Sequence, residues 1–227
     1  MKINVIATGS AGNLYELIDK EDNSMLIEAG VSRAVYVKNR VGKLPPEMCI
    51  ISHGHIDHAR YAEEFRTLMP TYFFEVKNES KNWKAFGLFL NHGKGKTMTF
   101  IIKSIVENQF LFFGTDIEFE PENFELYEAL KIYEVENYLI ECNYNDYLFH
   151  LANEEQRFGC CRHFSDNDVV NFIKKSGAKN PKIITIHGSN RLSSDVYTKK
   201  YIGSKIINST VNVATGAKKE TKNLFII

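Results

Sequence analysis

Between Ile50 and Arg60 the sequence reads IISHGHIDHAR, which places His53, His55, Asp57 and His58 within six positions. Imidazole and carboxylate groups gathered in this way suit Zn²⁺, and less specifically Mn²⁺ or Fe²⁺. His53 and His55, two apart at a strand end, can point the same way, while Asp57 and His58 turn into the following helix. Four such groups from so short a segment do not fit comfortably round one ion. Two adjacent ions would accommodate them. Further ligands would come from other strand ends, where the sequence offers His92 after GLFLN, Asp116 after QFLFFGT and His187 closing KIITI. Each of these alone reads as an ordinary strand-end histidine or turn aspartate. Their joint occurrence with the cluster favours a dinuclear centre.

Other residues could serve the same chemistry. Glu141 in YLIEC alternates with apolar neighbours, so its carboxylate faces opposite to Ile140 and Cys142. A buried glutamate needs a partner, for which His163 is a candidate; an edge glutamate in water is the alternative. Backbone N–H groups around Ser189 and Asn190, where a helix could begin, would suit a phosphate oxygen, and Lys94 and Lys96 in HGKGK could assist. His150 reads as structural. Cys160 and Cys161, being adjacent, fit tetrahedral coordination poorly.

These residues need a scaffold that brings strand ends together. INVIA and SMLIEAG read as early strands with the turn GSAGN between them, and SRAVYVKNRVG as a helix entered at Ser32 and stopped near Gly42. MCIIS is a buried strand that delivers His53. HARYAEEFRTLM reads as one helix with Tyr61, Phe65 and Leu68 on a common face, ended by Pro70. Strands at TYFF, GLFLN, TMTFIIKS and QFLFFG follow. Then NYLIEC, KIITIH, VNVAT and NLFII read as strands, with helices at SDNDVVNFIKKSG and SSDVYTKKYI between them. Ser165 and Asp168 have capping-box spacing and Gly177 supplies a stop. This alternation predicts an α/β protein with helices outside its sheets.

The 227 residues are enough for one sizeable core and the composition is that of a globular protein, so a single domain over 1–227 is expected. No apolar run is long enough to span a bilayer and MKINVIATG reads as a strand, not a signal segment, which points to a cytoplasmic protein without a membrane partner. Four cysteines without CxxC spacing are expected to be reduced. Net charge is zero, but residues 157–227 carry 13 Lys/Arg against 4 Asp/Glu, and residues 1–156 carry 15 against 24. A basic segment of this kind favours an anionic substrate, although lysines such as Lys174, Lys175, Lys199, Lys200, Lys218 and Lys219 could equally do no more than solvate helix faces and loops.

HGHIDH resembles the HxHxDH signature of the metallo-β-lactamase fold, and His92, Asp116 and His187 are similar in order to that family's remaining ligand motifs. GSAGN, LIEAG and VNVATG are also similar to family landmarks, so the resemblance covers nearly the whole chain. FFGTD, LIECNYND and RHFSDND look most like the small YycJ/WalJ-type nuclease branch, with a layout similar to RNase Z. The resemblance implies a four-layer αββα sandwich with two metal ions at one edge. It implies that His53, His55 and His92 hold one ion, that Asp57, His58 and His187 hold the other, and that Asp116 bridges them. His163 would be the proton donor and Glu141 its orienter, with Asp57 counted among the catalytic residues as well as the ligands. Three positions depart from the pattern: Glu28 replaces the usual aspartate, Arg162 precedes His163 where the branch often has glycine, and GSNR follows in place of the usual LS after His187.

The expected activity is a dinuclear hydrolase, with Zn²⁺ the first choice of metal, using a metal-bridging hydroxide on a phosphodiester in nucleic acid or a nucleotide. Ser189, Asn190 and Lys94 would contact phosphate. A hydrolase of a small metabolite such as a cyclic nucleotide, lactone or thioester is the alternative, and a non-catalytic metal-binding protein a third. The sequence leaves the oligomeric state open, a homodimer included.

Overall fold

Two antiparallel turns at the start of the chain join β1 (Lys2–Ala7), β2 (Leu14–Ile18) and β3 (Ser24–Ile27). The second turn is closed by Asp19, whose Oδ1 accepts the N–H groups of Glu21 and Asn23, with Asp22 at φ 64°. Thereafter pairing becomes parallel. β4 (Pro46–Ile51) lies beside β3 and β5 (Thr71–Phe73) beside β4, while β13 (Leu224–Ile226) closes the other edge on β1. A parallel neighbour requires a crossover. The first crossover contains α1 (Arg33–Asn39), capped by Ser32; the second contains α2 (Ile56–Ala59) and α3 (Ala62–Arg66). Tyr36 of α1 and Phe65 of α3 are buried with Leu14, Leu26, Cys49 and Ile51 of this sheet.

The second sheet has seven strands: β6 (Lys77–Glu79), β7 (Trp83–His92), β8 (Gly95–Ser104), β9 (Gln109–Gly114), β10 (Asn137–Glu141), β11 (Lys182–Ile186) and β12 (Thr210–Val213), in the order β12-β11-β10-β9-β8-β7-β6. β9, β10, β11 and β12 are mutually parallel, so their C-terminal ends share one edge. Between them run α4 (Phe124–Ile132), a 3₁₀ helix (Asp146–Leu151), α5 (Glu154–Cys160), α6 (Asp166–Ser176) and α7 (Asp195–Lys205). Phe172 of α6 is central to the core here, with its ring 4.9 Å from Phe112 and 5.6 Å from Tyr127.

Residues 1–215 and 223–227 are described by this computed structural model. The chain divides into two compact units, Met1–Gly87 with Ile102–Gln109 and Thr215–Ile227, and Leu88–Ile101 with Phe110–Ala214. Two mixed sheets carrying helices place it in the expected αββα class. Among the described residues no helix is long and apolar enough to cross a membrane. All four cysteines are unpaired, with Cys161 exposed and the other three buried. Gly216 of VNVATG, Lys218 and Lys219 lie outside the described residues.

Several elements differ from the sequence expectation. β2 is a strand the pattern did not reveal, because all five of its residues, Glu16 included, are buried and no alternation survives. α4, α5 and β6 are likewise additions. The helix expected over HARYAEEFRTLM is two short helices. The carbonyl of Asp57 accepts from Asn13 N at 2.8 Å and that of His58 from Ala29 N at 2.7 Å, while Tyr61 N turns away to Ala29 O. Contacts from distant chain thus replace the bonds that would continue α2. Leu68 is exposed and Met69 is buried in its place. The helix expected near Ser189 and Asn190 begins only at Asp195.

Candidate metal ligands and proton donor

Most of the predicted ligands follow from parallel pairing, since a strand that must cross over ends in a loop at the sheet's C-terminal edge; His92 instead ends a strand whose successor begins at Gly95. In the first unit, β4 ends at Ile51 and the crossover immediately presents His53, His55, Asp57 and His58. His53 is buried, with Nδ1 2.9 Å from Ser52 Oγ and Nε2 2.8 Å from His55 Nδ1. His58 is fully buried, its Nδ1 3.4 Å from Glu28 Oε1 and its Nε2 3.3 Å from Asp57 Oδ2. His58 thus lies between two carboxylates, Glu28 and Asp57. Asn13 supports the same corner, its amide reaching Asp57 O and His58 Nε2 at 3.2 Å each. Gly30 permits the approach: a Cβ there would lie 1.8 Å from Asp57 O.

In the second unit, Glu141 ends β10 level with Ile186, the residue before His187, and Asp116 stands two residues beyond β9. His92 ends β7. Asp116 and His187 hold left-handed backbone at φ 52° and 56°, as Glu28 does at 69° in the first unit. Such conformations cost about 1–3 kcal/mol each and gather at functional sites. Asp116, Glu141, His163 and His187 each offer a ligand atom within 4.8 Å of the others.

Glu141 is fully buried and in use. Its oxygens accept from Asp116 N at 2.6 Å, from Phe164 N at 2.8 Å and from His163 Nδ1 at 3.1 Å. One carboxylate therefore fixes both the loop bearing Asp116 and the loop bearing His163. Burial alone would lower the pKa of His163, but the charge and hydrogen bond of Glu141 and the charge of Asp116 outweigh it and raise the pKa to about 9. The ring is an imidazolium at neutral pH in this arrangement, and with Nδ1 bound to Glu141 its Nε2 carries the proton it can give away.

The tautomer of His92 is fixed by the chain itself. Its Nδ1 lies 3.1 Å from the carbonyl of Arg162, which can only accept, so the proton is on Nδ1. Its Nε2 lies 3.5 Å from Asp116 Oδ2. An imidazole nitrogen and a carboxylate oxygen at this spacing could both reach one cation, and the carbonyl behind His92 is the kind of orienting partner that metal-bound histidines have. His187 Nδ1 lies 3.4 Å from Asp116 Oδ1, with Asn143 bonded to the His187 carbonyl at 3.0 Å.

The structure thus brings His53, His55, Asp57 and His58 together in one unit and His92, Asp116, Glu141, His163 and His187 together in the other. The phosphate contacts fare differently. Ser189 N donates to Asn143 O at 2.7 Å and Ser189 Oγ accepts from the N–H groups of Arg191 and Leu192, so the backbone donor expected there is already committed. Lys94 is exposed, and Lys96 Nζ bonds Asn91 Oδ1. His150 faces outward, bonded to Tyr147 O. Asn13, Ser52, Asn143 and the Arg162 carbonyl were not anticipated as partners of the ligands. Asn13 alone had a signal, as the last residue of the turn GSAGN.

No protein-family model and no curated protein matches this sequence. Solved structures do. The metallo-β-lactamase fold protein YhfI from Bacillus subtilis superposes with a TM-score of 0.70 at 15% identity, covering 99% of this chain and 98% of that one. The short form of human tRNase Z gives 0.65 at 13%, covering 100% and 99%. A diphosphatase of the PhnP family gives 0.66 at 11%, covering 100% and 97%. The fold is that of the metallo-β-lactamase proteins.

Proposed function

We propose that this chain is a dinuclear metal-dependent phosphodiesterase acting on nucleic acid or a nucleotide, a nuclease of the small YycJ/WalJ type. Zn²⁺ is the metal expected from the donor set, with His53, His55 and His92 ligating one ion, Asp57, His58 and His187 the other, and Asp116 shared. When bound, such ions supply Lewis acidity to a phosphoryl oxygen and lower the pKa of water. The rest falls to the chain. Asp116 is held by Glu141 through its own N–H, so the shared carboxylate is positioned before any metal arrives. His163 donates the Nε2 proton to the leaving oxygen, and Glu141 keeps the ring oriented and charged. Lys94 and Asn190 remain proposed contacts for phosphate.

The observation that carries this reading is the pairing of the buried Glu141 with the partly buried His163 within reach of the candidate ligands Asp116 and His187. A purely structural ion needs no proton donor beside it. Phosphorus is favoured over acyl substrates by the basic segment from residue 157 and by the likeness to a tRNase and a diphosphatase. Metal-loaded protein should be screened on bis-p-nitrophenyl phosphate, single- and double-stranded oligonucleotides, cyclic nucleotides, a lactone and a thioester. Phosphodiesters should lead; thioester or lactone turnover far above them would replace this reading with that of a metabolite hydrolase.

A further inference from the structure

Arg162, the residue that departs from the nuclease pattern, has a conformation that several neighbours are shaped to hold. Its main chain is already engaged, with the carbonyl accepting from His92. The side chain leaves in another direction. Its stem lies over Gly93, where a Cβ would come within 2.8 Å of Arg162 Cδ, so that position accepts nothing larger than glycine without moving the arginine. Its guanidinium sits 4.9 Å from the ring centroid of Phe158, which is itself 68% exposed. Arg162 Nε is buried and has no hydrogen-bond partner, and among the described residues no carboxylate pairs with the charge. Burial shields Nε from a ligand, so an anion would meet the terminal NH₂ groups of the fork, which pair well with phosphate oxygens. The adjacent residue is the proton donor, which must face the leaving group.

We propose that Arg162 binds the substrate phosphate next along the chain on the leaving-group side, its fork presented on Phe158 and Gly93. This rests on the phosphodiesterase reading above. It names a substrate class: a leaving group that carries its own phosphate, as in an oligonucleotide, in preference to one that carries none. Arg suits this because its planar donors pair with phosphate oxygens in a fixed geometry, and a lysine retains the charge but not the fork.

The test compares a dinucleotide phosphorylated at both ends with the same dinucleotide lacking terminal phosphates. The wild type should prefer the phosphorylated form in kcat/KM, Arg162→Gln should reduce that preference about tenfold through KM, and Arg162→Lys should recover part of it. An equal preference in wild type and Arg162→Gln overturns the proposal. So does loss of bound metal in Arg162→Gln, which would show the residue acting only behind His92. Should the wild type cleave neither dinucleotide, the phosphodiesterase reading fails by itself. The guanidinium is then read by calorimetric titration with inorganic pyrophosphate, where binding at least about fivefold tighter in wild type than in Arg162→Gln sustains the anion site and equal binding removes it.

Discussion

At the scale of single residues, the proposed roles separate groups that would hold metal from groups that would move protons, and the two should respond differently to substitution. His163→Ala should lower kcat by about 10² to 10⁴ on a substrate with a poor leaving group, the usual worth of general acid catalysis. A nitrophenyl ester, which needs little protonation, should lose far less, and metal content should stay constant. Glu141→Gln should be the harsher change. The wild-type carboxylate accepts from three backbone N–H groups, those of Asp116, Ile117 and Phe164, as well as from His163, and an amide turns an NH₂ towards at least one of those donors. A stability loss of about 1–3 kcal/mol in denaturant melts should accompany the loss of activity. The candidate ligands stood out in the sequence because metal chemistry restricts residue type and HxHxDH restricts spacing. Their supports were not. Asn13, Glu28 and the Arg162 carbonyl reach the ligands from distant chain or through backbone, where the residue type says little.

At the scale of elements, the parallel run from β9 to β12 explains why Asp116, Glu141 and His187 arrive at one edge. Short apolar strands alternating with capped helices made that region readable. Ser165 and Asp168 do form a capping box and Gly177 does take the left-handed stop at φ 78°. The corner around His58 was less readable, because its shape depends on main-chain bonds from Asn13 and Ala29 that break a pattern otherwise helical. Gly30→Ala tests that corner. The added Cβ would collide with Asp57 O, and the expected cost is about 3 kcal/mol or more in thermal or denaturant unfolding, with weaker metal binding at Asp57 and His58. A variant as stable as wild type, with full metal content, would mean the corner is more yielding than its contacts imply. Ser165→Ala, by contrast, should cost about 1 kcal/mol through the lost cap.

At the scale of the whole molecule, residues 1–156 and residues 157–227 differ in charge, and the candidate ligand clusters fall in different units of the chain. Oligonucleotide binding should weaken steeply as salt rises, since lysines and arginines in the segment from residue 157 would release counterions from the backbone. Metal loading should raise the melting temperature, because an ion that binds only the folded chain stabilises it by mass action. Turnover of a phosphodiester should require two ions held by these residues. Metal-free protein titrated with Zn²⁺ or Mn²⁺, with oligonucleotide cleavage followed at each addition, tests it directly. Cleavage should rise to a plateau at two ions per chain and be abolished in Asp116→Ala. A plateau at one ion, or no cleavage at any loading, would contradict it.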